Sequence, residues 1–96
     1  MRYLKTRWHH DHPDEPVLVY SEIDAERAET RKVEVYRDGR HDWADEREST
    51  GSTFLAETAM PDDEEFAEIA ADPEFSPEWI EQAEFERAWA RAGSGT

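Results

Sequence analysis

The chain has 96 residues, of which 38% are charged and 36% are hydrophobic, and its formal net charge at neutral pH is −14. A chain of this length predicts one domain, and we expect residues 1–92 to fold as one α+β unit followed by a flexible tail at 93–96. The sequence has no cysteine, which excludes disulfides, thiolate metal sites and a cysteine nucleophile.

The negative charge lies mainly in the second part of the chain. Residues 1–40 carry eight basic and nine acidic side chains, whereas residues 41–96 carry three basic and sixteen acidic ones. An acidic surface repels phosphate and attracts cations, so we expect no nucleic acid partner and instead a basic protein partner. The alternative interpretation is that these charges only keep the surface solvated. No apolar run reaches the roughly 18 residues of a membrane span, and the charged N-terminal segment is unlike a signal peptide, so we expect no membrane partner and a cytoplasmic location.

Alternating side chains predict the first strands of an antiparallel sheet. A period of two residues indicates a strand over 2–10 and a second over 17–23, and prolines indicate a loop between them. A third strand is predicted over 31–37, followed by the hairpin signal Asp38-Gly39. A two-residue turn would place Val33 opposite Ala44. A three-residue loop would place Val33 opposite Trp43, and we prefer this register because it groups apolar side chains.

In the second part of the chain, the spacing of the apolar residues changes from that of strands to that of helices. Residues 53–56 are predicted as a short fifth strand. Acidic residues at 62–65 follow Pro61 and predict the first turn of a helix, which Asp72-Pro73 ends. The cap and proline of Ser76-Pro77 predict a short helix over 77–81. A second apolar stripe predicts a helix over 83–92.

Together these elements predict an α+β fold. We expect a four- or five-stranded antiparallel meander, followed by two or three short helices packed on one face. The predicted core consists of Leu4, Trp8, Val17, Val19, Val33, Val35, Trp43, Phe66, Ile69, Ile80, Phe85 and Trp89.

If the helices cover one face of the sheet, the other face is open. Aromatic and basic side chains then form a candidate platform for a partner, although they could simply coat a half-wet sheet. The acidic start of the first helix is a second candidate contact. The residues that we expect to bind are Tyr3, Arg7, His9, Tyr20, Glu22, Tyr36, Asp62, Asp63, Glu64 and Glu65.

The histidine-rich segment at 9–12 is a candidate metal or catalytic region. Two of its histidines could ligate a metal from a loop, with Glu15 or Glu22 as a third ligand. Neighbouring residues on a strand point to opposite faces, so His9 and His10 cannot both ligate there. The ligand set is incomplete, and we assign no cofactor, metal or catalytic residue. Glu22 is more simply a cross-strand ion pair with Arg31, Lys32 or Arg7.

Short segments spread over residues 2–92 resemble a family of small acidic bacterial proteins that is classified only as a domain of unknown function. Such domains are often suspected to be immunity- or antitoxin-type partners, so we expect a non-enzymatic protein-binding module. The alternative is a small-ligand or metal-dependent enzyme using the His9–His12 region with Glu15 and Glu22. The resembling segments are Trp8-His9-His10, Glu15-Pro16, Tyr20-Ser21-Glu22-Ile23-Asp24, Arg31-Lys32-Val33-Glu34-Val35, Asp38-Gly39, Ile69, Asp72-Pro73-Glu74-Phe75, and Phe85 with Trp89.

Overall fold

The computed structural model describes residues 1–51 and 53–93, and it has an α+β fold, as the sequence predicts. In these residues, five antiparallel strands form one sheet in the order β4-β3-β2-β1-β5. Neither helix has the length or apolar character that crossing a membrane requires, within the described residues. The elements are β1 Arg2–Trp8, β2 Leu18–Ile23, β3 Glu29–Val35, β4 His41–Asp45, α1 Asp63–Ala70, β5 Phe75–Ile80 and α2 Gln82–Arg91.

Strand β5 corrects two sequence predictions. The predicted helix over 77–81 is wrong, because this segment pairs with β1 at the edge of the sheet. The predicted strand over 53–56 is also wrong, since this segment has no regular secondary structure. A serine, a proline and a glutamate in a row suit a helix start, but they also suit an edge strand.

The hydrogen-bond pattern explains why Pro77 fits in this strand. The His9 N–H donates to the Glu74 carbonyl at 2.7 Å. In an antiparallel ladder, hydrogen-bonded residue pairs alternate with non-bonded pairs. The backbone N–H and carbonyl groups of Ser76 and Glu78 therefore point toward β1, whereas the backbone nitrogen and carbonyl of Pro77 point away from it. Proline lacks an N–H, so it costs no ladder hydrogen bond at that position.

The hairpin at Asp38-Gly39 has the register that the sequence favours. Val33 lies opposite Trp43. Gly39 has a φ of +92°, and its N–H donates to the Tyr36 carbonyl at 3.0 Å. Glycine adopts this left-handed backbone without a Cβ clash, so it suits the turn. Trp43 therefore joins the same side of the sheet as Val33.

Helix α2 covers one face of the sheet and forms the core there. Val33 and Phe85 are fully buried, each with 0% of its surface exposed. Tyr3 and Tyr20 pack against them, which contradicts the expected open platform on this face. The α1 helix lies at the β5 edge, where Phe66 stacks on a strand tryptophan.

The predicted core includes the most deeply buried residues but omits several others that are buried. Leu4, Val33 and Phe85 are buried as expected, whereas the other nine predicted core residues are only half-buried. Buried residues that the sequence prediction left out include three tyrosines, whose hydroxyl groups made them candidates for a surface. Of the predicted tail, residue 93 follows α2 with a φ of +83°, and residues 94–96 lie outside the described part of the chain. The buried hydrophobic residues left out of the predicted core are Tyr3, Tyr20, Ile23, Tyr36, Ala44 and Ala88.

Candidate functional site

A partly buried group of polar contacts is centred on Arg31, where β3 meets α2. Its Nε donates to Glu22 Oε1 at 2.9 Å across the strand pair. Its two Nη atoms donate to the two carboxylate oxygens of Glu86 at 3.0 and 2.9 Å. The guanidinium carbon lies 4.8 Å from the centre of the Phe85 ring and 4.9 Å from that of Trp89. This confirms the interpretation of Glu22 as a cross-strand ion pair.

The carboxylate of Glu22 is fully engaged inside the protein. Tyr3 donates its hydroxyl to Oε2 at 3.1 Å, and Thr30 donates to Oε1 at 2.8 Å. Burial acts to raise the pKa of Glu22, but the hydrogen bonds and the charge of Arg31 outweigh it and hold the pKa below its usual value. Burial and the Glu22 charge raise the pKa of Tyr3. These contacts fasten the helix to the sheet and leave the group little capacity for a ligand.

The histidines at 9–12 are held by contacts of their own. His9 Nε2 lies 2.7 Å from the Ser76 hydroxyl. His10 Nδ1 accepts the backbone N–H of His12 at 2.9 Å, so Nε2 carries the proton and donates to the Pro16 carbonyl at 2.8 Å. Within residues 1–51 and 53–93, no three His, Asp or Glu side chains are grouped so as to hold a metal ion.

The acidic start of α1 is partly neutralised by two arginines. Asp62 caps the helix by accepting the Glu65 N–H at 2.9 Å. Arg27 lies 3.4 Å from Asp62 and 3.1 Å from Glu65. Arg2 pairs with Asp63 at 3.1 Å. Internal pairing reduces the field that this cluster presents to a partner, so it is a weaker candidate contact than the sequence suggested.

The other predicted platform residues do not form one surface. Arg7 is exposed, but Tyr3 and Tyr20 lie beneath α2. Tyr36 is buried near the turn after β3, on the opposite side of the sheet by strand alternation. Burial, and after it the charge of Glu34, raises the pKa of Tyr36.

An exposed aromatic side chain that the sequence did not single out lies on that opposite side. Phe54 is 67% exposed. Its segment is anchored to β3, because Lys32 Nζ donates to the Phe54 carbonyl at 3.0 Å and the Ala56 N–H donates to Glu29 Oε1 at 2.7 Å. Thr53 also donates its hydroxyl to Glu34. The backbone is therefore held while the ring faces solvent.

Two clefts meet at Phe54, and carboxylates line both. The first has a volume of about 250 Å³ and is lined by residues 44–49 with Phe54 and Leu55. The second has a volume of about 300 Å³. Backbone N–H groups in the first cleft lower the pKa of Asp45, which favours its charged form. We call Phe54 and these clefts the Phe54 surface. The carboxylates of the clefts are Asp45, Glu46 and Glu48 in the first and Asp14, Glu15 and Glu34 in the second.

Sequence reasoning missed this surface because exposure of a single aromatic residue leaves no periodic signal. The apolar run Phe54-Leu55-Ala56 suits a strand as well as a surface segment. The one available clue was its position between a polar loop and the acidic residues that precede α1.

A family model described as a domain of unknown function (DUF6881) matches residues 2–94. The match covers almost the whole chain and confirms the resemblance to a family classified in that way. No curated protein matches the chain, and no solved structure matches it.

Proposed function

The chain belongs to the DUF6881 family, and we propose that it is a non-enzymatic binding module whose partner is a basic protein. The observation that carries this proposal is the exposed ring of Phe54 between two clefts lined by carboxylates. Aromatic residues are enriched in binding hot spots, and a polar rim surrounds the apolar centre of most interfaces. An apolar anchor with a negative rim suits a partner that has the opposite charge.

The charge at this surface supports the proposal better than the charge at α1 does. Six carboxylates line the two clefts, and the cations beside them are Lys32 and Arg47. Lys32 already pairs with Glu29 at 3.3 Å. At α1, by contrast, three of the four carboxylates in 62–65 pair with arginines. We therefore move the proposed contact from residues 62–65 to the Phe54 surface.

Complementary charge acts mainly on the rate and specificity of association. A basic partner would be steered toward the clefts, and burial of Phe54 would then slow dissociation. If the contact covers the functional surface of the partner, the module acts as an immunity- or antitoxin-type inhibitor. The proposal includes a cytoplasmic location and no nucleic acid or membrane partner, in keeping with the net charge of −14.

The test is capture of partners from the native host with the wild-type chain and a Phe54→Ser variant, followed by calorimetry with the purified candidate. We expect a basic protein that binds one-to-one and loses roughly tenfold or more in affinity with the variant. Binding of a basic protein with equal affinity to both chains would reject the Phe54 surface, and a specific partner that is acidic would reject the proposal itself.

The carboxylates around Phe54 can be tested separately from its ring. The double variant Asp14→Lys/Glu15→Lys reverses two exposed carboxylates of the second cleft. Glu26→Lys/Glu68→Lys makes the same change in net charge on exposed residues that line neither cleft. We expect the first variant to weaken binding and the second to change it little. Equal losses would mean that only the overall charge matters.

A further inference from the structure

We propose that the Phe54 ring receives an arginine side chain of the partner, with its guanidinium directed to the carboxylates of the second cleft. This inference rests on the proposed function and names the chemical group that the Phe54 surface takes. It follows from how the chain places its own arginines and from what covers the Phe54 ring.

At two places in the described part of the chain, the guanidinium of an arginine lies over an aromatic ring and also pairs with a carboxylate. Arg2 lies 3.6 Å from the centre of the Trp79 ring and pairs with Asp63 at 3.1 Å. Arg31 repeats this arrangement on Phe85 with two glutamates. A planar guanidinium can stack on a ring and bind a carboxylate at the same time, because its donors lie in its plane.

Phe54 has the ring and the carboxylates of this arrangement, but the residue remains 67% exposed. The cation nearest to it in the described structure is Lys32, whose Nζ lies 5.9 Å from the ring centre. That ammonium donates to the Phe54 carbonyl and pairs with Glu29 at 3.3 Å. Lys32 therefore holds the backbone of the segment and leaves most of the ring open to a second cation.

The second cleft fits the charged end of such a side chain. Asp14 and Glu15 are exposed on its wall, and Glu34 is half-buried. Tyr36 also lines the cleft, and the guanidinium carbon of Arg40 lies 4.2 Å from the centre of the Tyr36 ring. Arginine suits this site better than lysine does, because an ammonium is a more strongly hydrated point charge and cannot pair with a carboxylate in a bidentate way.

The experiment uses the full chain and small probes, so it does not depend on knowing the partner. N-acetylarginine amide, N-acetyllysine amide and N-acetylcitrulline amide are titrated while backbone amide shifts are followed by NMR. We expect saturable shifts at Phe54 and Asp14 with the arginine probe, roughly two- to fivefold weaker binding of lysine, and no saturable binding of neutral citrulline. Equal binding of arginine and citrulline, or arginine shifts spread evenly over acidic residues such as Glu26 and Glu68, would overturn the inference.

Two variants separate stacking from simple attraction. Phe54→Leu keeps an apolar side chain but removes the π face, so the preference for arginine over lysine should disappear. Asp14→Lys/Glu15→Lys should abolish binding of both cationic probes, whereas Glu26→Lys/Glu68→Lys should preserve it. If Phe54→Leu retains the full preference, the ring does not receive the guanidinium.

Failure of this inference can be told apart from failure of the proposed function. A basic protein that binds through Phe54 while the arginine probe gives no saturable shift would reject the arginine contact alone. Saturable arginine binding in a chain whose specific partner proves to be acidic would reject the proposed function instead.

Discussion

Glu22 and Arg31 lie opposite each other on β2 and β3, with Arg31 Nε 2.9 Å from Glu22 Oε1, and the same guanidinium holds Glu86 on α2. One cation therefore joins two strands and a helix. Because these carboxylates are satisfied within the fold, they are not available to a partner. Exposed carboxylates elsewhere remain available, and Asp14 and Glu15 of the Phe54 surface are among them.

Glu22 should make stability depend on pH. Its pKa is lowered in the folded state, so the folded protein binds this proton less readily than the unfolded chain. Its contribution is thus complete above about pH 5 and is lost as pH falls through the lowered pKa. We expect Glu22→Gln to cost about 2–4 kcal/mol at pH 7 and much less near pH 3. Denaturant unfolding at both values checks this, and an equal cost at both would refute the assignment.

The same substitution should reduce stability strongly at Phe85 and hardly at all at Phe54. Phe85→Ala removes a fully buried ring and should lower the free energy of unfolding by about 3–5 kcal/mol. Phe54→Ala removes an exposed ring and should change it by less than about 0.5 kcal/mol. Urea unfolding of both variants provides the measurement. A large cost for Phe54→Ala would mean that the ring supports the fold and is not free for a partner.

The register of β5 predicts where proline is tolerated. Pro77→Val should change stability by less than about 1 kcal/mol, because position 77 faces away from β1. Glu78→Pro should cost about 3 kcal/mol or more, because the Glu78 N–H faces Lys5 in the ladder. Thermal unfolding distinguishes them. Similar stability of the two variants would show that the edge strand has a different register.

The segment that carries Phe54 should loosen when its anchor is removed. Glu29 is buried, and its Oε1 accepts the Ala56 N–H at 2.7 Å. We expect Glu29→Ala to speed hydrogen exchange at the Ala56 amide by roughly tenfold or more, while exchange at Val33 changes only as much as global stability does. Unchanged exchange at Ala56 would show that the segment is held in another way.

The strands and the last helix could be predicted because their signals are local. Alternation located β1 to β3, the Asp38-Gly39 signal indicated the hairpin to β4, and the grouping of Trp43 with Val33 selected the register that the structure has. An i, i+3, i+4 stripe located α2 to within one residue. Each of these signals needs only the near neighbours of a residue along the chain.

The remaining features depend on contacts that are distant in sequence. Pro77 lies in a strand because β1 offers an edge, and nothing around the proline shows that edge. Tyr3 is buried because Glu22 accepts its hydroxyl, so its polarity did not keep it at the surface. Phe54 is exposed although the segment that follows it, Leu55-Ala56, is apolar. The face of the sheet that α2 covers determines which side chains stay exposed to a partner. That face depends on how the whole sheet is assembled, so the local sequence does not show it.

The most direct test of the proposed function is the association rate with the purified basic partner, measured over a salt series for three chains. For the wild type and for Glu26→Lys/Glu68→Lys, we predict a fast rate at low salt that falls steeply as salt rises. For Asp14→Lys/Glu15→Lys, which has the same net charge as the control, we predict a slower rate at low salt and a shallower dependence. Identical rates and slopes for the two variants would contradict the account, because the partner would then sense only total charge and not the Phe54 surface.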